Sequence, residues 1–206
     1  MKCIVFDMDG VLFDTCAIAE ESIVQQYPDI TKEQQKEILA GNFHEELAKL
    51  SLVKKSETQE EKEIRQMQYA YNKSQSLMYE GMREMLFDLH SLGHKIALNT
   101  SAWDRNCLPL MEQAQILHLF DFVGTAEISK SKVEKFSLIK EKYSIESQDM
   151  IFITDTLGDV REAKIANVPT VAVTWGAHNE SYFKRELNDN LIAIVNTVDE
   201  LRAFLE

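Results

Sequence analysis

Along the chain, apolar and polar positions fall into two textures. Four short runs, Cys3 to Phe6, Lys95 to Leu98, Met150 to Ile153 and Thr170 to Val173, are apolar or nearly so from end to end. A sheet with one wet face would alternate apolar and polar residues, so continuous runs predict strands of a parallel sheet buried on both faces. Between these runs apolar residues recur at helical spacing: Met82, Met85, Leu86 and Leu89, then Val133, Phe136, Ile139 and Tyr143, then Val198, Leu201 and Leu205. Strand followed by helix, repeated, predicts an α/β fold with a doubly wound parallel sheet.

The second texture occupies residues 15–80. Only Pro28 and Gly41 interrupt it, and after Gly41 its only β-branched residues are Val53, Thr58 and Ile64. This composition predicts helices, at roughly 16–27, 32–40, 43–54 and 58–79. Thr31 and Thr58 suit N-caps, Pro28 separates the first two helices, and Gly41 suits a C′ position with positive φ. The expected organisation is therefore an α/β core from 1–14 and 81–206, with an all-helical domain, 15–80, inserted between the first and second strands. No internal repeat is found.

Composition narrows the class. Of 206 residues, 45% are apolar and 27% charged, values that fit neither a disordered chain nor a membrane protein. The 22 basic and 34 acidic residues leave a net charge of −12, which repels nucleic acid and anionic membrane surfaces, so neither is expected as a partner. Cys3, Cys16 and Cys107 are odd in number and widely spaced, as free thiols of a reducing compartment would be. The opening apolar run meets Asp7 too soon to be a signal or a membrane span. A cytoplasmic location is expected.

Ligands of doubly wound sheets bind beyond the carboxyl ends of the strands. The residues there converge in type: Asp7-Met8-Asp9-Gly10-Val11-Leu12 after the first run, Thr100-Ser101 after the second, and Asp155-Thr156-Leu157-Gly158-Asp159 after the third. One such aspartate can be a helix cap. Four at one sheet edge repel one another unless a cation joins them, and oxygen-only ligands suit Mg²⁺, which typically bridges to phosphate.

Asp7-x-Asp9-Gly10-Val11-Leu12, Thr100 and Asp155-x-x-x-Asp159 resemble three of the four motifs of the haloacid dehalogenase-like superfamily. The resemblance implies that Asp7 is a nucleophile forming an aspartyl-phosphate and that Asp9 is the general acid and base. It further implies Mg²⁺ held by the Asp7 carboxylate, the Asp9 backbone carbonyl and Asp155, with Asp159 also at the metal, as a direct ligand or just behind the ligands, and Thr100 bonded to a phosphoryl oxygen, with Ser101 beside it in the substrate site. Members with the family's namesake dehalogenase activity resemble this chain without the second aspartate, so Asp9 favours a phosphoryl substrate.

The fourth motif is a lysine, and two residues compete for it. Spacing to Asp155 selects Lys130, but the prolines that often accompany that lysine are missing. Ser131 and Glu134 instead read as a capping box, which puts Lys132 at the first turn of a helix, facing the phosphate. Residues 15–80 resemble the cap that these relatives place after the first motif, and Asn42, Phe43 and His44 resemble its substrate-contacting loop. The expected activity is Mg²⁺-dependent hydrolysis of a small phosphorylated metabolite. Alternatives are a sugar phosphomutase of the beta-phosphoglucomutase type, for which His44 stands where an arginine or lysine would be wanted, and a non-catalytic phosphate-binding protein on the same scaffold. Trp103 and Arg105 could border the site or simply pack. His90, His94, His118 and His178 show no metal-ligand spacing.

Overall fold

The computed structural model describes residues 2–41, 46–47, 49–50, 52–186 and 189–206. Six strands, β1 (Cys3–Phe6), β2 (Lys95–Asn99), β3 (Phe122–Gly124), β4 (Met150–Thr154), β5 (Thr170–Val173) and β6 (Leu191–Val195), form one sheet in the order β3-β2-β1-β4-β5-β6. All neighbouring pairs are parallel. The four apolar runs are its four inner strands. Each is so continuously apolar because both faces are covered. Ile4, Phe6, Ile96, Leu98, Ile151 and Ile153 pack on one side. Cys3, Val5, Ala97, Met150 and Phe152 pack on the other. Burying each large side chain contributes about 1.5–3 kcal/mol.

Residues 15–80 supply α1 (Cys16–Gln26), α2 (Lys32–Ile38) and α3 (Gln59–Ser74). Thr31 and Thr58 are the expected N-caps, and each also closes a full capping box, with Gln34 and Glu61. Of the expected helix over 43–54, the described residues 46, 47 and 49 are helical, and residues 52–58 are not. Gly41 does not adopt positive φ; the described glycines that do are Gly10, Gly81 and Gly93. A Cβ at Gly41 would instead fall 2.4 Å from the Glu46 side chain. The stretch leaves and re-enters the core through paired backbone: the Asp14 amide donates to the Leu77 carbonyl (3.0 Å) and the Tyr79 amide to the Leu12 carbonyl (3.0 Å).

The remaining helices are α4 (Met82–Ser91), α5 (Asp104–Gln113), α6 (Lys132–Tyr143), α7 (Leu157–Ile165), α8 (Glu180–Phe183) and α9 (Val198–Leu205). Helix α6 departs from the expected pattern. Phe136 and Ile139 are buried, but the rest of its buried face is Lys132 and Lys135, while Val133 and Tyr143 are only half-buried. Its cap is half the expected box: the Ser131 hydroxyl accepts from the Glu134 amide, whereas the Glu134 carboxylate accepts from Ser129. No helix among the described residues is long and apolar enough to cross a membrane. The three cysteines are free.

Candidate active site

The site lies at the carboxyl ends of β1, β2 and β4. Asp7 follows β1 directly, and its amide still donates to the Ile153 carbonyl of β4 (2.9 Å), so the sheet itself fixes its position. The chain then turns sharply: the Leu12 and Phe13 amides both donate to the Met8 carbonyl. Gly10 sits inside this turn at φ +70°, and a Cβ there would fall 2.0 Å from an Asp155 carboxylate oxygen. Only glycine meets both demands. Gly176 approaches Asp155 from another side, where a Cβ would lie 2.3 Å from the same oxygen.

Lys132 joins the motifs. Its ammonium lies 2.8 Å from Asp7 and 2.8 Å from Asp159, and is almost inaccessible. Asp159 also accepts from the Thr154 hydroxyl (2.7 Å). Burial opposes every charge here, and the outcome differs among the three carboxyls. Burial pushes Asp7 up to about 7 despite the pull of Lys132. Asp159 stays below the ordinary carboxylate range, because Lys132, Asp7 and Thr154 outweigh its burial. Asp155 is pushed far up by burial and by the neighbouring Asp7. Lys132 is itself raised, since its two carboxylates outweigh desolvation.

Of the two candidate lysines, Lys132 reaches Asp7 and Asp159, while Lys130 is exposed on the preceding loop. Thr100 is buried and its hydroxyl accepts from the Ala102 amide (3.1 Å); Ser101 is exposed. Trp103 and Arg105 are exposed as well. Asn42, Phe43 and His44 lie outside the described residues. His178 is a buried packing residue whose Nδ1 accepts from the Leu157 amide (2.9 Å), so its Nε2 donates to the Lys36 carbonyl (3.0 Å).

The residues suit a hard divalent cation. One Asp155 oxygen accepts from the Ala177 amide (2.7 Å), while the other, Oδ1, is buried without a partner. An orphaned carboxylate oxygen beside a second carboxylate is costly unless a cation completes it. Among the described residues no three His, Cys, Asp or Glu side chains form a ready-made cage. Mg²⁺ does not require one, because it commonly takes one or two carboxylates and fills the rest with water and phosphate.

Two groups at this site carry no sequence signal. Asp9 accepts from the Thr15 hydroxyl (2.7 Å) and from the ammonium of Lys73 (2.7 Å), which comes from the last turn of α3 and is 1% exposed. Nothing in the helical pattern of 58–79 separates Lys73 from its solvated neighbours. Lys135 is equally buried, and its ammonium donates to the Thr100 carbonyl (2.6 Å).

Comparisons with known proteins agree with this geometry. The sequence profile described as haloacid dehalogenase-like hydrolase matches residues 4–173. A phosphoglycolate phosphatase of Aliivibrio fischeri is 27% identical over 194 residues, covering 85% of each chain. Another phosphoglycolate phosphatase, of Nitrosospira multiformis, is 26% identical over 207 residues, covering 93% of this chain and 91% of that one. The fold superposes on a haloacid dehalogenase-like family hydrolase from Streptococcus pneumoniae with a TM-score of 0.76 at 16% identity, over 100% of this chain and 99% of that one.

Proposed function

Because the chain belongs to the haloacid dehalogenase-like hydrolase family, we propose that it is a Mg²⁺-dependent phosphatase acting on a small phosphorylated metabolite through Asp7. The observation that carries this reading is the placement of Lys132 between Asp7 and Asp159, with the unpartnered Asp155 oxygen close by. Asp7 and Asp155, with the Asp9 backbone carbonyl, would hold the ion. When bound, it neutralises the carboxylates and the phosphate so that the two can meet. Asp159 acts by holding Lys132 in place.

In the first step an Asp7 carboxylate oxygen attacks phosphorus, and the bond from phosphorus to the ester oxygen breaks. Asp9 gives its proton to that leaving oxygen. In the second step Asp9 takes a proton from water as the water oxygen attacks phosphorus, which frees phosphate and restores Asp7. Lys132, Thr100 and Ser101 bind the phosphoryl oxygens, supported by the N-terminus of α6. Residues 15–80 act as a cap that excludes water and reads the leaving group, with Lys73 reaching from them to Asp9. Asn42, Phe43 and His44 are the proposed leaving-group contacts.

The names of the two curated relatives make 2-phosphoglycolate the first ester to assay. The test is rapid quenching of a Mg²⁺ reaction with a labelled phosphate ester, followed by peptide mapping. Label on the peptide carrying Asp7 is the expected result. Turnover with no trapped label, or label elsewhere, would sink the nucleophile assignment.

A further inference from the structure

Lys135 is a lysine in a core position. Its side chain is fully buried on the face of α6 that packs against the sheet, beside Phe136 and Ile139. The nearby acceptors of charge, Asp7 and Asp159, are both taken by Lys132, and among the described residues Lys135 forms no ion pair. Its one hydrogen bond goes to a neutral carbonyl, that of Thr100. An ammonium has three N–H donors, and burying it with one modest partner is unfavourable against an apolar side chain of the same length. Burial and the repulsion of Lys132 accordingly lower it to about 8.

Two further contacts show that this side chain has a dedicated place. Gly124, at the end of β3, lacks the Cβ that would come 3.1 Å from the Lys135 stem and 2.9 Å from the Leu98 carbonyl. Asn99 donates in the opposite sense, from its side-chain amide to the Lys132 carbonyl (3.1 Å). The end of β2 and the start of α6 are thus tied twice, once from each side. One tie ends on the residue that carries Thr100, and the other on the backbone of Lys132.

We propose that Lys135 is a positioning residue for the phosphoryl site, which fixes the Thr100 carbonyl and hence the Thr100-Ser101 loop against Lys132 while adding positive charge behind it. This rests on the reading of Thr100 and Ser101 as phosphoryl ligands. The charged groups that face Lys135 are Lys132, Asp7, Asp159 and Glu162. A phosphoryl anion arriving in front of the loop meets this cation at its back.

The experiment compares wild type with K135M and K135Q, each with Mg²⁺. Thermal unfolding, kcat and KM for several phosphate esters, and tungstate affinity are measured on all three. Methionine fills the channel and removes both donor and charge; glutamine keeps a donor. K135M should unfold at the same or a higher temperature than wild type, yet lose roughly 10- to 100-fold in kcat/KM. The loss should be similar for every ester, with a matching loss of tungstate affinity, and K135Q should fall between. Tungstate keeps one charge state above neutral pH, so its binding to wild type should weaken as pH rises through about 8, where the ammonium loses its proton, and K135M should lack that limb. A K135M protein that does not fold would make Lys135 a structural residue and overturn the proposal, as would unchanged kcat/KM and tungstate affinity. If wild type itself neither hydrolyses phosphate esters nor binds tungstate, the phosphatase reading fails first and takes this one with it.

Discussion

The strand ends and the inserted helices contribute to the site in opposite ways. At the strand ends Asp7, Thr100, Asp155 and Lys132 are nearly inaccessible. Sheet register places them, through contacts such as the Asp7 amide on the Ile153 carbonyl. Among the described residues the insert contributes the Lys73 ammonium and the Thr15 hydroxyl, both on Asp9, and a few backbone carbonyls. Those carbonyls meet the core at Gly158, which donates to Leu39 (3.1 Å), at Arg161, which donates to Ala40 (2.5 Å), and at His178. The core alone therefore pairs Asp7 and Asp159 with Lys132, with Asp155 beside them and Lys135 tied behind the Thr100 loop. Lys73 arrives only with the insert. If these helices act as the proposed cap, moving them away from the strand ends removes a cation from Asp9 and admits water together.

The sharpest way to break this comparison is to alter the core alone. Asp7→Asn keeps the shape and hydrogen-bonding reach of the side chain but removes the proposed nucleophile, so turnover should fall by on the order of 10⁴-fold or more while thermal unfolding shows a folded protein. Retained phosphatase activity would show that the strand ends do not carry the chemistry.

Chelation tests the same region through its charge. Excess chelator should reduce activity by on the order of 10³-fold, with Mg²⁺ restoring it, because Asp7 and Asp155 repel an anionic substrate until a cation joins them. Mg²⁺ should also raise the unfolding temperature, since an ion held only by the folded arrangement of carboxylates stabilises it. Full activity in chelator would remove the ion from the reaction.

Lys73→Met moves the test to the insert. Because Asp9 is about one-third exposed, water can hydrate it after the lysine is lost, so stability should change little. Catalysis should fall by roughly 10²-fold, the usual worth of a well-placed acid and base, and most for esters with poor leaving groups. Trapping of phosphate on Asp7 should persist for good leaving groups. An equal loss for all esters, together with loss of trapping, would place Lys73 in the phosphoryl site instead.

The two regions also differ in how far the sequence discloses them. The inner strands are readable because burial on both faces makes them continuously apolar, and the residues just beyond them, Asp7, Thr100, Asp155 and Asp159, follow from counting to the strand end. The edge strands are not among the four predicted runs: β3 is only three residues long, whereas β6 is apolar from Leu191 to Val195 although only partly buried, so its run was legible in the sequence. Lys132 was one of two choices until its helix start was seen, because spacing and capping chemistry point to different residues. Lys73 and Lys135 were illegible for a plainer reason. A lysine on a helix reads as solvated, and only tertiary packing reveals that one faces Asp9 and the other the back of the Thr100 loop. Gly41 was misread because a glycine can serve backbone conformation or close approach, and one sequence does not say which.

The close approach of Gly158 to the backbone of the insert gives the smallest expected effect and the finest test of the comparison. A Cβ at Gly158 would lie 2.2 Å from the Gly41 carbonyl oxygen and 2.9 Å from that of Leu39, so one of the two backbones must shift in Gly158→Ala. Gly158 lies in the first turn of α7, where alanine is favoured over glycine by about 1 kcal/mol on propensity alone. If the insert yields, the core keeps or gains stability, kcat is nearly unchanged, and KM rises roughly threefold to tenfold because the covering segment no longer seats fully over the substrate. If α7 yields, Asp159 moves with it, Lys132 loses its second anchor, and kcat falls while stability drops. The split between KM and kcat thus reports which region is the rigid one. Equal loss in both would mean that the strand ends and the inserted helices move as a single body, which the separation of their roles does not allow.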